Sequence, residues 1–349
     1  MLLLPAARPD DPGHASLAAA TGMETDVTET NNPAEDGASH PDHSDGRTAP
    51  ELASEELKPG TLLLDGQYEI LRFLNSGGFG ITYLARDSLD RLAVIKECFP
   101  NAICHRVETM VKTRSRKHAA EFETTLQTFV DEARSLSRLA HPSVVGVHQV
   151  FEDNGTAYTV MDFIDGPDLH HIIDATEGAF SPAETVVILL HLLRAVEFIH
   201  QAGILHRDIS PDNILIDPAG KPVLIDFGAA SEPMIPGSRI LTERLVIKDG
   251  YSPQELYLIG AEQTPASDLY ALAATFYHVI SGAAPPPSQR RLAALAVGAP
   301  DPCTPLSRRF GGYPPGFLEA IDAAMRVLQR DRLQSATEWI ALVQRGLTR

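Results

Sequence analysis

The sequence predicts an α+β chain of two successive lobes, the first strand-rich and the second helical. Two patterns carry this. Between residues 67 and 163, runs of β-branched and aromatic residues are separated by turn formers such as the EDNG stretch at 152–155. Beyond residue 181, apolar residues instead recur every three or four positions over long segments. At 349 residues, 44 % of them hydrophobic, the chain is long enough to bury a core in each lobe.

In chain order, the first element to justify is a tail. Residues 5–56 are rich in Pro, Asp, Glu, Thr, Ser and Gly and nearly free of aromatics. Such a stretch buries too little apolar surface to offset its ordering entropy, so residues 1–58 are expected to be a disordered acidic tail. Order is expected from Gly60. QYEILRFL and GITYLARD read as strands flanking a glycine cluster, and RLAVIKECF as a third strand. Phe122, Leu126, Phe129, Ala133 and Leu136 then line one face of a helix over 119–139. VVGVHQVF and TAYTVMDF are two further strands, and a connector follows near Asp162–Gly166. The helical lobe opens with Ser181 as N-cap, Pro182 at the first helical position and Gly203 just past the end. Further helices are expected at about 266–281, 316–328 and 335–346.

The net charge of −17 argues against nonspecific attraction to nucleic-acid phosphates or anionic membranes. Much of it is local, because residues 1–60 alone carry −9. The three cysteines show neither a Cys-x-x-Cys nor a Cys/His spacing, which suits reduced thiols in a cytoplasmic protein. The opening apolar run is too short for a signal-peptide core, and no stretch approaches 18 apolar residues, so no membrane span is expected.

Several positions carry chemistry. In NSGGFGITY, Gly77, Gly78 and Gly80 would let a backbone approach phosphates and offer N–H donors. Lys96 on the following strand and Glu132 on the next helix form a pair able to hold the α- and β-phosphates of ATP. His206, Arg207, Asp208 and Asn213 fall at the spacing of a catalytic loop, with Asp208 as base and Asn213 as metal ligand. Asp226 ends the apolar strand LIDFG, where it could hold Mg²⁺. Any one of these has an ordinary structural explanation; their joint occurrence in this order does not.

On these motifs, residues from about 60 to 349 resemble bacterial protein kinases of the eukaryotic-like (Hanks) serine/threonine type. The resemblance is to a branch with GGFGITYLA and an IKE-aromatic-FP strand end, and it continues through HPSVV, GILHRD, PVLIDFGAA and SDLYALAAT. It implies a bilobal protein-kinase fold: a five-stranded antiparallel N-lobe with a long αC helix over 59–164, and a mainly helical C-lobe over 165–349. It also implies ATP and Mg²⁺ as cofactors, a protein substrate, and autophosphorylation in the activation loop. Carried over position by position, Met161 is the gatekeeper, the backbone of Asp162 and Ile164 meets adenine, and Asp168 lies near the ribose. Glu255 pairs with Arg332, Asp268 braces the catalytic loop, and Leu136, His206 and Phe227 stack into a spine.

The pattern departs from the family at four places. Asn75 stands for the first glycine of the loop, Val94 for an alanine that would leave the adenine slot wider, and Leu333 for a proline. The fourth is Ser210, where such kinases carry a lysine that touches the transferred phosphoryl group. Three residues before Tyr251, where the resemblance puts a threonine, stands Lys248. The two side chains are expected to have exchanged places, Lys248 supplying the charge and Ser210 the hydroxyl. Arg207 beside the base suggests a partner for a phosphate at Thr242, Ser238 or Ser231. The alternative to an active kinase is an ATP-binding pseudokinase scaffold; a small-molecule phosphotransferase and tyrosine specificity have less support.

Overall fold

The structure is a computed structural model and describes residues 55–78, 80–175, 178, 180–227, 247–258 and 260–348. The acidic tail expected over 1–58 therefore lies outside the described residues except for its last four positions, as do Thr242, Ser238 and Ser231.

Strands β1 (Leu62–Leu63), β2 (Tyr68–Ser76), β3 (Gly80–Asp87), β4 (Leu92–Cys98), β7 (Val147–Asp153) and β8 (Thr156–Asp162) form one antiparallel sheet in the order β1-β2-β3-β4-β8-β7. The sheet therefore has six strands rather than five. Positive φ at Leu64, Asp65 and Gly66 folds the chain back so that Leu62 and Leu63 pair with Glu69 and Tyr68. A two-residue strand has no alternation to betray it in the sequence. A second unforeseen piece is the hairpin β5 (Cys104–Val107) and β6 (Met110–Thr113). It leads into α1 (Ala119–Leu136), which ends three residues earlier than its pattern suggested.

The helical lobe contains α2 (Leu169–Ala175), α3 (Pro182–Gln201), α4 (Pro265–Ser281), α5 (Ser288–Ala296), α6 (Phe317–Ala324) and α7 (Ala336–Leu347), with a small hairpin of β9 (Ile214–Ile216) and β10 (Pro222–Leu224). Ser181 closes a reciprocal capping box with Glu184 at the start of α3, and Gly203 follows its end at φ 77°. Helix α4 is buried from Ala266 to His278 and forms the centre of this lobe. Its apolar core continues through Leu224 and Phe227 to Ala133 and Leu136 of α1, so the packing crosses from one lobe to the other. Among the described residues, no helix is long and apolar enough to cross a membrane.

Candidate active site

A cavity of about 700 Å³ opens between the sheet and the helical lobe, where Val94, Lys96, Met161, Asp168, Asn213 and Asp226 meet. Val94 lies opposite Met161 in the β4–β8 register, and both side chains line the same cavity. The connector after β8 is pinned by Asp162, whose carboxylate accepts from the Gly146 N–H (2.9 Å) and meets His148 Nε2 (2.7 Å). Ile164 lines the cavity two residues later. Gly166 permits the next approach, because a Cβ there would sit 1.9 Å from the Ile216 carbonyl oxygen. Asp168 also lines the cavity while capping α2, one carboxylate oxygen accepting from the His171 N–H at 2.7 Å.

The three loop glycines divide by environment. A Cβ on Gly77 or Gly78 would meet nothing within 4 Å, which leaves that stretch open to a ligand. Gly80 lies at the start of β3, where a Cβ would come within 2.6 Å of the Glu97 carbonyl oxygen. Its lack of a side chain is demanded by the sheet itself.

Lys96 extends from β4 to form an ion pair with Asp226. Glu132 lines a small adjoining cavity with both of them. Desolvation opposes charge on Lys96, but Asp226 and then Glu132 outweigh it and hold the ammonium above its ordinary range. The Lys96 ammonium in turn holds Asp226 below the usual carboxylate range. Asp226 has φ 60° and Arg207 φ 66°, both strained for residues with a side chain. Arg207 is kept there by Asp268 on α4, whose two oxygens accept from the His206 and Arg207 N–H groups, each at 2.8 Å. His200 Nε2 approaches the same carboxylate at 2.8 Å. The His206 ring packs on Phe227 with centroids 4.4 Å apart, and its Nε2 lies 3.1 Å from the Ile225 carbonyl oxygen.

Asn213 Nδ2 donates to the Asp208 backbone oxygen (2.7 Å) and Oδ2 (2.8 Å), leaving its amide oxygen as the donor atom for a cation. Burial pushes the Asp208 carboxyl up to about 6, with Asp226 adding to the effect and Lys248 opposing it. A carboxylate poised there is suited to accepting a proton near neutral pH.

Lys248 reaches this loop from a tight turn. Its backbone N–H donates to Ser252 Oγ (2.9 Å), and its carbonyl accepts from the Tyr251 (3.0 Å) and Ser252 (2.9 Å) N–H groups. Gly250, at φ 89°, completes the turn against the Pro285 carbonyl. The Tyr251 hydroxyl lies 2.7 Å from His278 Nδ1 on α4, tying the turn to the lobe centre. The Lys248 ammonium lies 2.8 Å from Ser210 Oγ, 2.7 Å from Asp212 Oδ2 and 3.2 Å from Asp208 Oδ1. The two side chains expected to be exchanged are thus in direct contact. Just beyond, Glu255 and Arg332 form a buried bidentate pair at 2.6 and 2.9 Å.

Two features escaped the sequence reading. Nothing in the sequence singled out Asp212, and only the approach of Lys248 marks it. In the sheet lobe, Glu97 is fully buried and accepts from Arg106 (2.5 and 3.0 Å), Tyr83 (2.9 Å) and Tyr158 (2.9 Å). Arg106 comes from the unforeseen hairpin, so nothing local announced the pair.

Residues 68–298 match the family described as Protein kinase domain. Serine/threonine-protein kinase C of Synechocystis sp. is 31 % identical over 300 residues, covering 81 % of this chain and 50 % of that protein. Serine/threonine-protein kinase pkn2 of Myxococcus xanthus is 32 % identical over 295 residues, covering 81 % of this chain and 32 % of that protein. The chain thus spans about half the length, or less, of these curated relatives. A solved structure, "PpkA-294 apo form", aligns with TM-score 0.69 and 34 % identity, covering 83 % of this chain and 100 % of that one.

Proposed function

The chain belongs to the protein kinase domain family, and from that premise we propose that it transfers the γ-phosphate of ATP to serine or threonine hydroxyls of a protein substrate, with Lys248 supplying the cation that the catalytic loop lacks. The observation that carries this reading is the Lys248 ammonium resting between Ser210 Oγ and the Asp208 carboxylate. A threonine-for-lysine exchange between the two strands of chain keeps one hydroxyl and one positive charge beside the base. Charge stabilisation of the transferring group depends on where the cation sits, not on which segment carries it.

In this reading residues 59–164 form the nucleotide-side lobe and 165–349 the substrate-side lobe. Asp208 orients the acceptor hydroxyl and takes its proton. Lys96, kept charged by Asp226 and Glu132, meets phosphate oxygens, and the open backbone at Gly77 and Gly78 cradles them. Met161, Asp162 and Ile164 border the adenine and Asp168 the ribose. Among the described residues no three His, Cys, Asp or Glu side chains gather as a metal cage. Asn213 and Asp226 would share Mg²⁺ with phosphate oxygens and water, as suits that ion. Held by these two residues, Mg²⁺ would supply charge neutralisation to the phosphates. Autophosphorylation at Thr242, Ser238 or Ser231, with Arg207 receiving the phosphate, belongs to the same proposal.

The test is label transfer from ATP with Mg²⁺, to the protein itself and to a generic basic protein, beside Asp208→Asn and Lys248→Ala. Loss of label in both variants is the expected result. Loss in Asp208→Asn alone would keep the kinase and remove the role of Lys248. Unlabelled wild type that still binds ATP would favour the pseudokinase scaffold instead.

A further inference from the structure

Resting on the reading just given, we propose that Asp212 is a positioning residue that draws the Lys248 ammonium away from Asp208 and holds it at the phosphoryl-transfer site. An ammonium has three N–H donors, and Lys248 has three acceptors in reach: Asp212 Oδ2 at 2.7 Å, Ser210 Oγ at 2.8 Å and Asp208 Oδ1 at 3.2 Å. The longest contact is to the base. Two carboxylates therefore compete for one cation, and Asp212 has the closer claim.

That competition has a chemical consequence. A lysine on a flexible four-carbon stem can turn its ammonium to either carboxylate within reach. Without Asp212, the remaining carboxylate contact of Lys248 would be Asp208, which is the more enclosed of the two, with 15 % of its side chain exposed against 50 % for Asp212. A closer Lys248–Asp208 pair than the present 3.2 Å contact would tie up Oδ1, the oxygen that Asn213 leaves for the acceptor hydroxyl, and draw the charge toward the base. Asp212 also sits on the wall of the nucleotide cavity beside Asn213, whereas Lys248 and Asp208 line a small cavity next to it, so Asp212 stands between the ammonium and the nucleotide side. The contact joins residues 36 apart and crosses from the activation-segment turn to the catalytic loop.

The experiment is a double-mutant cycle on label transfer, with turnover and the KM for ATP measured separately. Asp212→Asn keeps the size of the side chain and removes its charge; it should lower turnover about tenfold while the KM for ATP stays within about twofold. Asp212→Glu, which restores the carboxylate, should recover most of that loss. In a Lys248→Ala background the Asn change should cost less than about twofold, since there is no ammonium left to position. Full, multiplicative losses in the double variant, or wild-type turnover in Asp212→Asn, would overturn the role of Asp212 and leave Lys248 standing. Wild-type turnover in Lys248→Ala would overturn the lysine reading and this inference with it. Should the Asn variant fail to fold, Asp212→Ser with Asp212→Glu runs the same cycle.

Discussion

The ammonium of Lys248 lies 2.8 Å from the hydroxyl of Ser210, a residue 38 positions earlier in the chain. Ser210 is fully buried and begins the short 3-10 turn Pro211–Asn213, so its hydroxyl has a fixed direction. Lys248 is fixed from the other side by the Tyr251–His278 contact. The two departures from the family pattern are thus held in contact from both sides.

The exchange should be reversible. Lys248→Thr alone is expected to slow label transfer at least about tenfold, equivalent to about 1.4 kcal/mol of barrier. Combining it with Ser210→Lys should recover a large part of that rate, because charge and hydroxyl return to the usual strands. A double variant no faster than Lys248→Thr would show that the two sites are not interchangeable.

Asp208 should cost the protein stability at neutral pH. Its folded pKa is raised from the ordinary 3.8 to about 6, so the folded state holds this proton more tightly than the unfolded chain. The resulting stabilisation is present below about pH 4 and is lost as pH rises through about 6. Asp208→Asn is therefore expected to raise Tm at pH 7.5, by the equivalent of roughly 1–2 kcal/mol, while abolishing transfer. The gain should vanish below pH 4 in thermal unfolding scans made without nucleotide or Mg²⁺.

Two loop glycines should fail differently. Gly78→Ala meets open space, so stability should hold while affinity for ATP falls. Gly80→Ala drives a methyl group against the Glu97 backbone and should lose about 1–3 kcal/mol of stability in denaturant unfolding. Equal stability losses in both variants would contradict this division.

The Arg106–Glu97 pair should matter more by its breaking than by its presence. Arg106→Gln leaves a fully buried carboxylate uncompensated and is expected to cost about 3–5 kcal/mol. Glu97→Gln together with Arg106→Gln removes both charges and should cost less than Arg106→Gln alone. Urea unfolding of the three proteins checks the order.

The two-lobe architecture, the caps of α3 and the ordered series Lys96, Glu132, Asp208, Asn213 and Asp226 were legible in the sequence. Each of these rests on periodicity, on a cap or on a spacing within a few residues, and such patterns survive in one dimension. The sequence also exposed Ser210 and Lys248 as complementary departures. That they touch, that Asp212 shares the lysine, that the sheet has a sixth strand and that Arg106 pairs with Glu97 came from the folded chain alone. Those contacts join distant segments whose meeting depends on how turns and packed helices bring them together. Proximity of that kind leaves no periodicity for the sequence to show.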